Sequence, residues 1–153
     1  MFLLDSNTSI FFMKGHPAVS ARYARQGPQT IFLSTISYHE LRYGTLHSRA
    51  LQRHLQAVED FTAPLTILPF TQSSAEHSSR IRQALAATGQ MIGPLDLLIA
   101  GHALEHQLTL VTRNLRKFSR VPGAFRGGLD GAVRVIYRSE FMVPARPCTG
   151  MSD

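Results

Sequence analysis

Short apolar runs separated by longer segments of helical pattern constrain this chain more than any other feature. Phe2-Leu3-Leu4, Ile31 to Ser34, Leu65 to Phe70 and Leu108 to Thr112 read as strands. Ile10 to Lys14 has helical tendency until Gly15 and Pro17 interrupt it, and Ala18 to Gln26 reads as a helix closed by Gly27-Pro28. Ser37, with Glu40 three residues on, has capping-box spacing and opens a helix to about His47. A further helix carries Leu51, Leu55 and Val58 as far as Phe61; Ser73 to Ala87 forms another, stopped by Gly89. Gly93-Pro94 opens the next, which continues through Leu104. Parallel neighbours need a crossover and helices supply it, so the alternation predicts an α/β fold around a mostly parallel sheet.

At 153 residues the chain fits one domain with a proper core. A hydrophobic content of 44% with 17% charged residues suits a globular protein and not a disordered one. No apolar run reaches the length of about 20 residues that spans a bilayer, and Met-Phe-Leu-Leu-Asp lacks the basic start of a secretory signal, so a cytoplasmic protein is expected. Cys148 is the single cysteine, which excludes an internal disulfide and a cysteine zinc cluster. Sixteen Lys and Arg against ten Asp and Glu give a formal charge of +6. Apart from Lys14 and Lys117 the basic residues are arginines, and half of the sixteen lie from Arg113 onward. That bias suits a polyanionic partner, although a merely soluble basic protein has the same composition.

Three acids stand where a parallel sheet builds its sites. Asp5 ends the first strand, and ligands of open α/β sheets bind beyond the carboxyl ends of strands. Glu40 and Asp96 are placed in the first turns of their helices, where the dipole favours a carboxylate. Each also has a bland reading, as a capping-box or dipole residue. Asp96 lies among Leu95, Leu97, Leu98 and Ile99, and Asp5 follows Leu3 and Leu4; an acid in such company is costly unless paired or bound to metal. If the acids converge, a divalent cation relieves their repulsion, and magnesium needs few carboxylates because it keeps waters. Such an ion activates water and polarises a phosphodiester. Of the seven histidines, His39 faces about 100° away from Glu40. His102 is six residues from Asp96, and His16, His47, His54, His77 and His106 read as lacking a paired ligand spacing. Structural or surface roles are therefore expected for them. Nucleophile-elbow and Gly-rich phosphate motifs do not occur.

Four motifs in order then resemble one family: Leu4-Asp5-Ser6-Asn7; Ile36-Ser37-Tyr38-His39-Glu40-Leu41-Arg42-Tyr43-Gly44; Gly93-Pro94-Leu95-Asp96 through Ala103; and Leu110-Val111-Thr112-Arg113-Asn114 through Phe118, followed by Val121-Pro122-Gly123. They resemble PIN-domain proteins, in particular the VapC-type toxins of toxin–antitoxin pairs. The resemblance implies an α/β/α sandwich and an Mg2+- or Mn2+-dependent endoribonuclease. It implies that Asp5, Glu40 and Asp96 hold metal or position water, with Asn114 as a fourth corner. Thr112 matches the hydroxyl residue two positions before it, and Asn7 matches a supporting polar residue whose other reading is an Asx turn. It further implies a structured RNA substrate such as a tRNA, a VapB-type antitoxin and a homodimer. Arg113, Arg116 and Lys117 follow the fourth strand, as a hold on the RNA backbone or as a solvated face.

The likeness covers residues 1–123, and Ser6 replaces its usual Thr. Residues 124–153 are an atypical basic segment in which Ala132 to Tyr137 resembles a strand, and Met142 to Asp153 is expected to be a disordered extension. The rival in another class is a non-catalytic basic module that binds RNA or an antitoxin. A haloacid-dehalogenase-like phosphatase is excluded because it needs an Asp at position 7, where this chain has Asn.

Overall fold

The computed structural model describes residues 1–15, 27–122 and 134–137. The expected helix at Ala18 to Gln26 and the extension from Met142 lie outside the described residues. Five parallel strands form one sheet: β1 (Phe2–Leu4), β2 (Ile31–Ser34), β3 (Thr66–Leu68), β4 (Thr109–Thr112) and β5 (Arg134–Tyr137), in the order β3-β2-β1-β4-β5. β1 is central, with Leu4 in register with Leu33 on one side and Val111 on the other. Because side chains alternate along a strand, its two leucines enter opposite layers, and both are fully buried.

Leu3 joins Leu110 under α4 (Gln72–Ala87), α5 (Pro94–Glu105) and α6 (Leu115–Phe118), with Ile81, Leu85, Ile99 and Phe118 completing that layer. Leu4 joins Leu33 and Val111 under α1 (Ser6–Met13), α2 (Thr35–Leu46) and α3 (Leu51–Thr62), where Phe12, Leu41 and Val58 pack. The result is the expected α/β/α sandwich. Among the described residues no helix is long and apolar enough to cross a membrane.

The third strand is shorter than the expected Leu65 to Phe70, and two helix starts differ from expectation for one reason. β1 and β2 pass directly into helices, so the last polar residue of each strand unit is also the helix cap. Asp5 caps α1, its Oδ1 accepting from the Thr8 N–H at 2.7 Å, and the helix therefore begins at Ser6, four residues before Ile10. Ser34 caps α2 through the Ile36 N–H at 3.0 Å. Ser37 is therefore not a cap; it is buried within the helix, donating its hydroxyl to the Leu4 carbonyl at 3.1 Å. Glu40 is thus in the second turn of α2, out of the dipole's range. The remaining punctuation follows backbone chemistry. Pro94 occupies the first turn of α5, and Gly89, at φ +66°, ends α4 in the left-handed conformation that glycine tolerates.

Candidate active site

Asp5 is the focus because it is an acid with 4% exposure at the carboxyl end of the central strand. Its Oδ2 accepts from the Thr112 hydroxyl at 2.5 Å, across β1 and β4. The Thr112 oxygen in turn accepts from the Asn114 backbone N–H at 2.9 Å. Burial raises the Asp5 pKa above its usual 3.8; the hydrogen bonds from Thr112 and Thr8 oppose that rise, and the negative charge of Asp96 adds to it. Asp96 therefore lies within electrostatic reach, delivered by the first turn of α5 as expected. It is not bare: the Lys117 ammonium donates to its Oδ2 at 2.7 Å. Gly93 makes room for this arrangement, since a Cβ there would stand 2.7 Å from Asp96 Oδ2.

The other expected residues divide between two adjoining grooves. Asn7 and Asn114 line one cleft, of about 400 Å³, with Ile10, Phe11, Lys14 and Arg113. Residues 7, 10, 11 and 14 are one face of α1, and the Arg113 guanidinium lies 4.7 Å over the Phe11 ring. Glu40 lines the neighbouring groove with Lys14, Arg53 and His54. It is one helical turn from Ser37, which is itself bonded to the residue before Asp5. The structure thus joins Asp5, Thr112, Asn114, Asp96 and Lys117, and sets Glu40 and Asn7 on the walls beside them. The three acids do not form a group with ligand atoms all within 4.8 Å among the described residues. Arg116 is exposed on α6.

The site has the donors for a cation. The charge of Asp96 raises the cost of ionising Asp5, and a lysine ammonium already stands against Asp96. A PIN-domain family model matches residues 2–124. The chain is 40% identical over 122 residues to the tRNA(fMet)-specific endonuclease VapC of Salmonella typhimurium, covering 80% of this chain and 92% of that protein. It is 36% identical over 120 residues to ribonuclease VapC of Haemophilus influenzae, covering 78% and 91%. This is a PIN-domain protein of the VapC type. A solved structure, the DNA-bound VapBC from Salmonella typhimurium, matches with TM-score 0.79 and 36% identity over 89% of this chain and 96% of that one.

The PIN fold also gathers residues that the sequence reading passed over. Lys14 is one, legible only once α1 starts at Ser6 and puts it two turns from Asn7. A second group is His102, Glu105 and His106, whose ligand atoms all lie within 4.8 Å of one another. His106 therefore does have a paired spacing: it is four residues from His102, on the same face of α5. Burial, then His106, holds the His102 ring down at about 4, so it is neutral at pH 7.

Proposed function

We propose that this chain is an endoribonuclease toxin that uses Mg2+ or Mn2+ held by Asp5 and Asp96, with Glu40 and Asn114 completing the site. The observation that carries the reading is the Asp5–Asp96 pair at the carboxyl end of the central strand, one acid buried and the other countered by an ammonium. A bound divalent ion there supplies Lewis acidity and a more acidic water. The chain's own residues do the rest. Thr8 and Thr112 fix both Asp5 oxygens, so the carboxylate is oriented before any ion arrives. The Asn114 N–H polarises the Thr112 hydroxyl toward Asp5. Lys14 and Arg113, which both line the neighbouring cleft, hold RNA phosphates, while Asn7 and Asn114 offer amides to the backbone or bases. Arg116 extends this basic edge, and Lys117 is divided between Asp96 and RNA.

The 40% identical relative is named for tRNA(fMet), which makes that tRNA the first substrate to try. The VapBC structures of relatives support a VapB-type antitoxin as partner, and family likeness supports a homodimer acting in the cytoplasm. The deciding experiment incubates purified chain with tRNA(fMet) and with total RNA, in Mn2+, in Mg2+ and in EDTA, beside Asp5→Asn. Cleavage is expected with the ions alone and should fall at least about 100-fold in the variant. Cleavage in EDTA ends the metal-nuclease reading, and RNA binding without cleavage in any condition favours the non-catalytic module.

A further inference from the structure

We propose that His102, Glu105 and His106 form a second metal site, for Zn2+, at the end of α5 remote from Asp96. The proposal does not rest on the nuclease reading. His102-Ala103-Leu104-Glu105-His106 places two imidazoles at i and i+4 and a carboxylate at i+3, all on one helical face. Nine residues separate Asp96 from Glu105, or about 13 Å of helix rise. The cluster is therefore not a corner of the acidic pair.

Unpartnered atoms give the main argument. The Nε2 atoms of His102 and His106 are buried and have no hydrogen-bond partner. His102 is fully buried, so its orphan nitrogen has no access to water. A buried polar atom left unpaired forfeits the hydrogen bonds it would make in water, and a metal ion can replace them. The two rings lie 5.0 Å apart between centroids, and a ring nitrogen of each lies within 4.8 Å of the other and of a Glu105 carboxylate oxygen. His106 Nε2 lies 3.6 Å from Glu105 Oε2, too long for a hydrogen bond. It is close to the separation of about 3.3–3.5 Å between tetrahedral donors with bonds of 2.0–2.1 Å. The other separations, none above 4.8 Å, close with side-chain shifts of about 1 Å.

Two of the three donors are also oriented from behind, as ligands of metal sites are. Ser34 Oγ lies 2.8 Å from His102 Nδ1. If Nδ1–H donates to that oxygen, Nε2 is left unprotonated with its lone pair free, which is the tautomer that binds a metal through Nε2. The Glu105 carboxylate accepts from the Thr71 hydroxyl at 2.6 Å and from the Ser74 hydroxyl. Phe70 closes the apolar side, edge-on to His102 at 5.8 Å. Two imidazoles and one carboxylate suit zinc and not magnesium or calcium, which take oxygen ligands. The Glu105 and His106 side chains are 15% and 33% exposed, which gives the ion a route in and leaves a fourth position for water. Bound there, Zn2+ would tie the end of α5, through its ligands' partners, to the start of α4 and the end of β2.

The test uses tag-free full chain stripped with EDTA, dialysed, and returned to excess Mg2+ so that hard-cation sites are filled. Zn2+ is titrated calorimetrically, and Co2+ by absorbance as a reporter of tetrahedral nitrogen ligands. One Zn2+ per chain, a tetrahedral Co2+ spectrum and a higher melting temperature are expected. His106→Ala and Glu105→Gln alter the partly exposed ligands, and each should weaken Zn2+ by at least about 10–100-fold, the loss typical of even an outer-sphere partner. Asp5→Asn should leave it unchanged. A chain that does not bind Zn2+, or one bound equally well by both α5 variants, overturns the proposal. So does a loss on Asp5→Asn that matches theirs.

Discussion

Asp5 has two demands on it that conflict. As the cap of α1 it must accept hydrogen bonds, which favours the carboxylate, while burial and Asp96 oppose its charge; burial wins and its pKa rises. The folded state then holds its proton to higher pH than the unfolded chain does. The contribution to stability is present below the unfolded value, near 3.8, and is lost as pH climbs through the raised folded value. Asp5→Asn keeps an acceptor for the Thr8 N–H and removes the charge. Its melting temperature in EDTA should therefore equal or exceed the wild type's at pH 7, and should vary less between pH 4 and pH 8, although cleavage is lost. Scanning calorimetry across that range checks this, and a strongly destabilised variant contradicts it. Lys117 gives a second case. Its ammonium occupies Asp96 Oδ2 at 2.7 Å, where a divalent ion would compete. A partly exposed pair of this kind is worth about 0.2–1 kcal/mol, or roughly 1.4- to 5-fold in a binding constant. Lys117→Ala should lower the Mn2+ concentration for half-maximal cleavage by that factor. A rise in the RNA KM of the same variant would separate its phosphate contact from its hold on Asp96, and an unmoved Mn2+ midpoint would show that it does not compete.

At the scale of elements, α5 is held by two glycines with different tasks, and substitution separates them. A Cβ on Gly101 would stand 2.5 Å from the Ser78 backbone nitrogen and 2.7 Å from its Cα, so α4 and α5 themselves would have to part. Gly101→Ala should cost about 1–3 kcal/mol or somewhat more. In a chain of this size that is a melting temperature lower by roughly 2–4 °C per kcal/mol. A Cβ on Gly93 meets the Asp96 carboxylate and, at 3.9 Å, the Lys117 Nζ, both side-chain ends that can swing, so Gly93→Ala should leave melting nearly unchanged and reduce cleavage. Equal effects of the two on melting would refute this division. The same helix shows what a sequence discloses. Its Gly-Pro start and the Gly89 stop of α4 are local backbone rules, and both were legible. The acids Asp5 and Asp96 were legible as costly charges among apolar neighbours. Ser34 and Asp5 as caps were not, because a strand that becomes a helix without a loop leaves no punctuation between them. Ser37 with Glu40 three residues on mimics a capping box, which places Glu40 one turn nearer the helix start than it is. The Lys117–Asp96 pair spans 21 residues, and no periodicity encodes it. The histidine cluster was legible as i, i+4, but it lies in an apolar helix where core histidines are the ordinary expectation.

At the scale of the whole molecule, the basic segment beyond Gly123 bears on the site through the sheet. β5 pairs with all of β4, from Thr109 with Arg134 to Thr112 with Tyr137. β4 is buried at every residue and carries Thr112, the partner of Asp5. Ending the chain after Pro122 would turn β4 into an edge with its N–H and C=O groups unpaired on one side. About four ladder hydrogen bonds at a net 0.5–1.5 kcal/mol each put the loss at roughly 2–6 kcal/mol, a large share of the stability of a single domain. Ending it after Ser139 keeps β5 and removes, of the sixteen basic residues, only Arg146. The shorter chain should unfold at markedly lower urea and lose cleavage, whereas the longer one should match the full chain in both. RNA affinity measured against salt adds an independent reading. The slope for single-stranded RNA becomes shallower by about 0.7 for each phosphate that is no longer neutralised. It should be the same for the full chain and the chain ending at Ser139, and shallower by up to about 2 in a full-length variant with Arg113, Arg116 and Lys117 replaced by alanine. If the chain ending at Ser139 instead loses most of its salt dependence, the RNA phosphates are held by the last fourteen residues and not beside the acids.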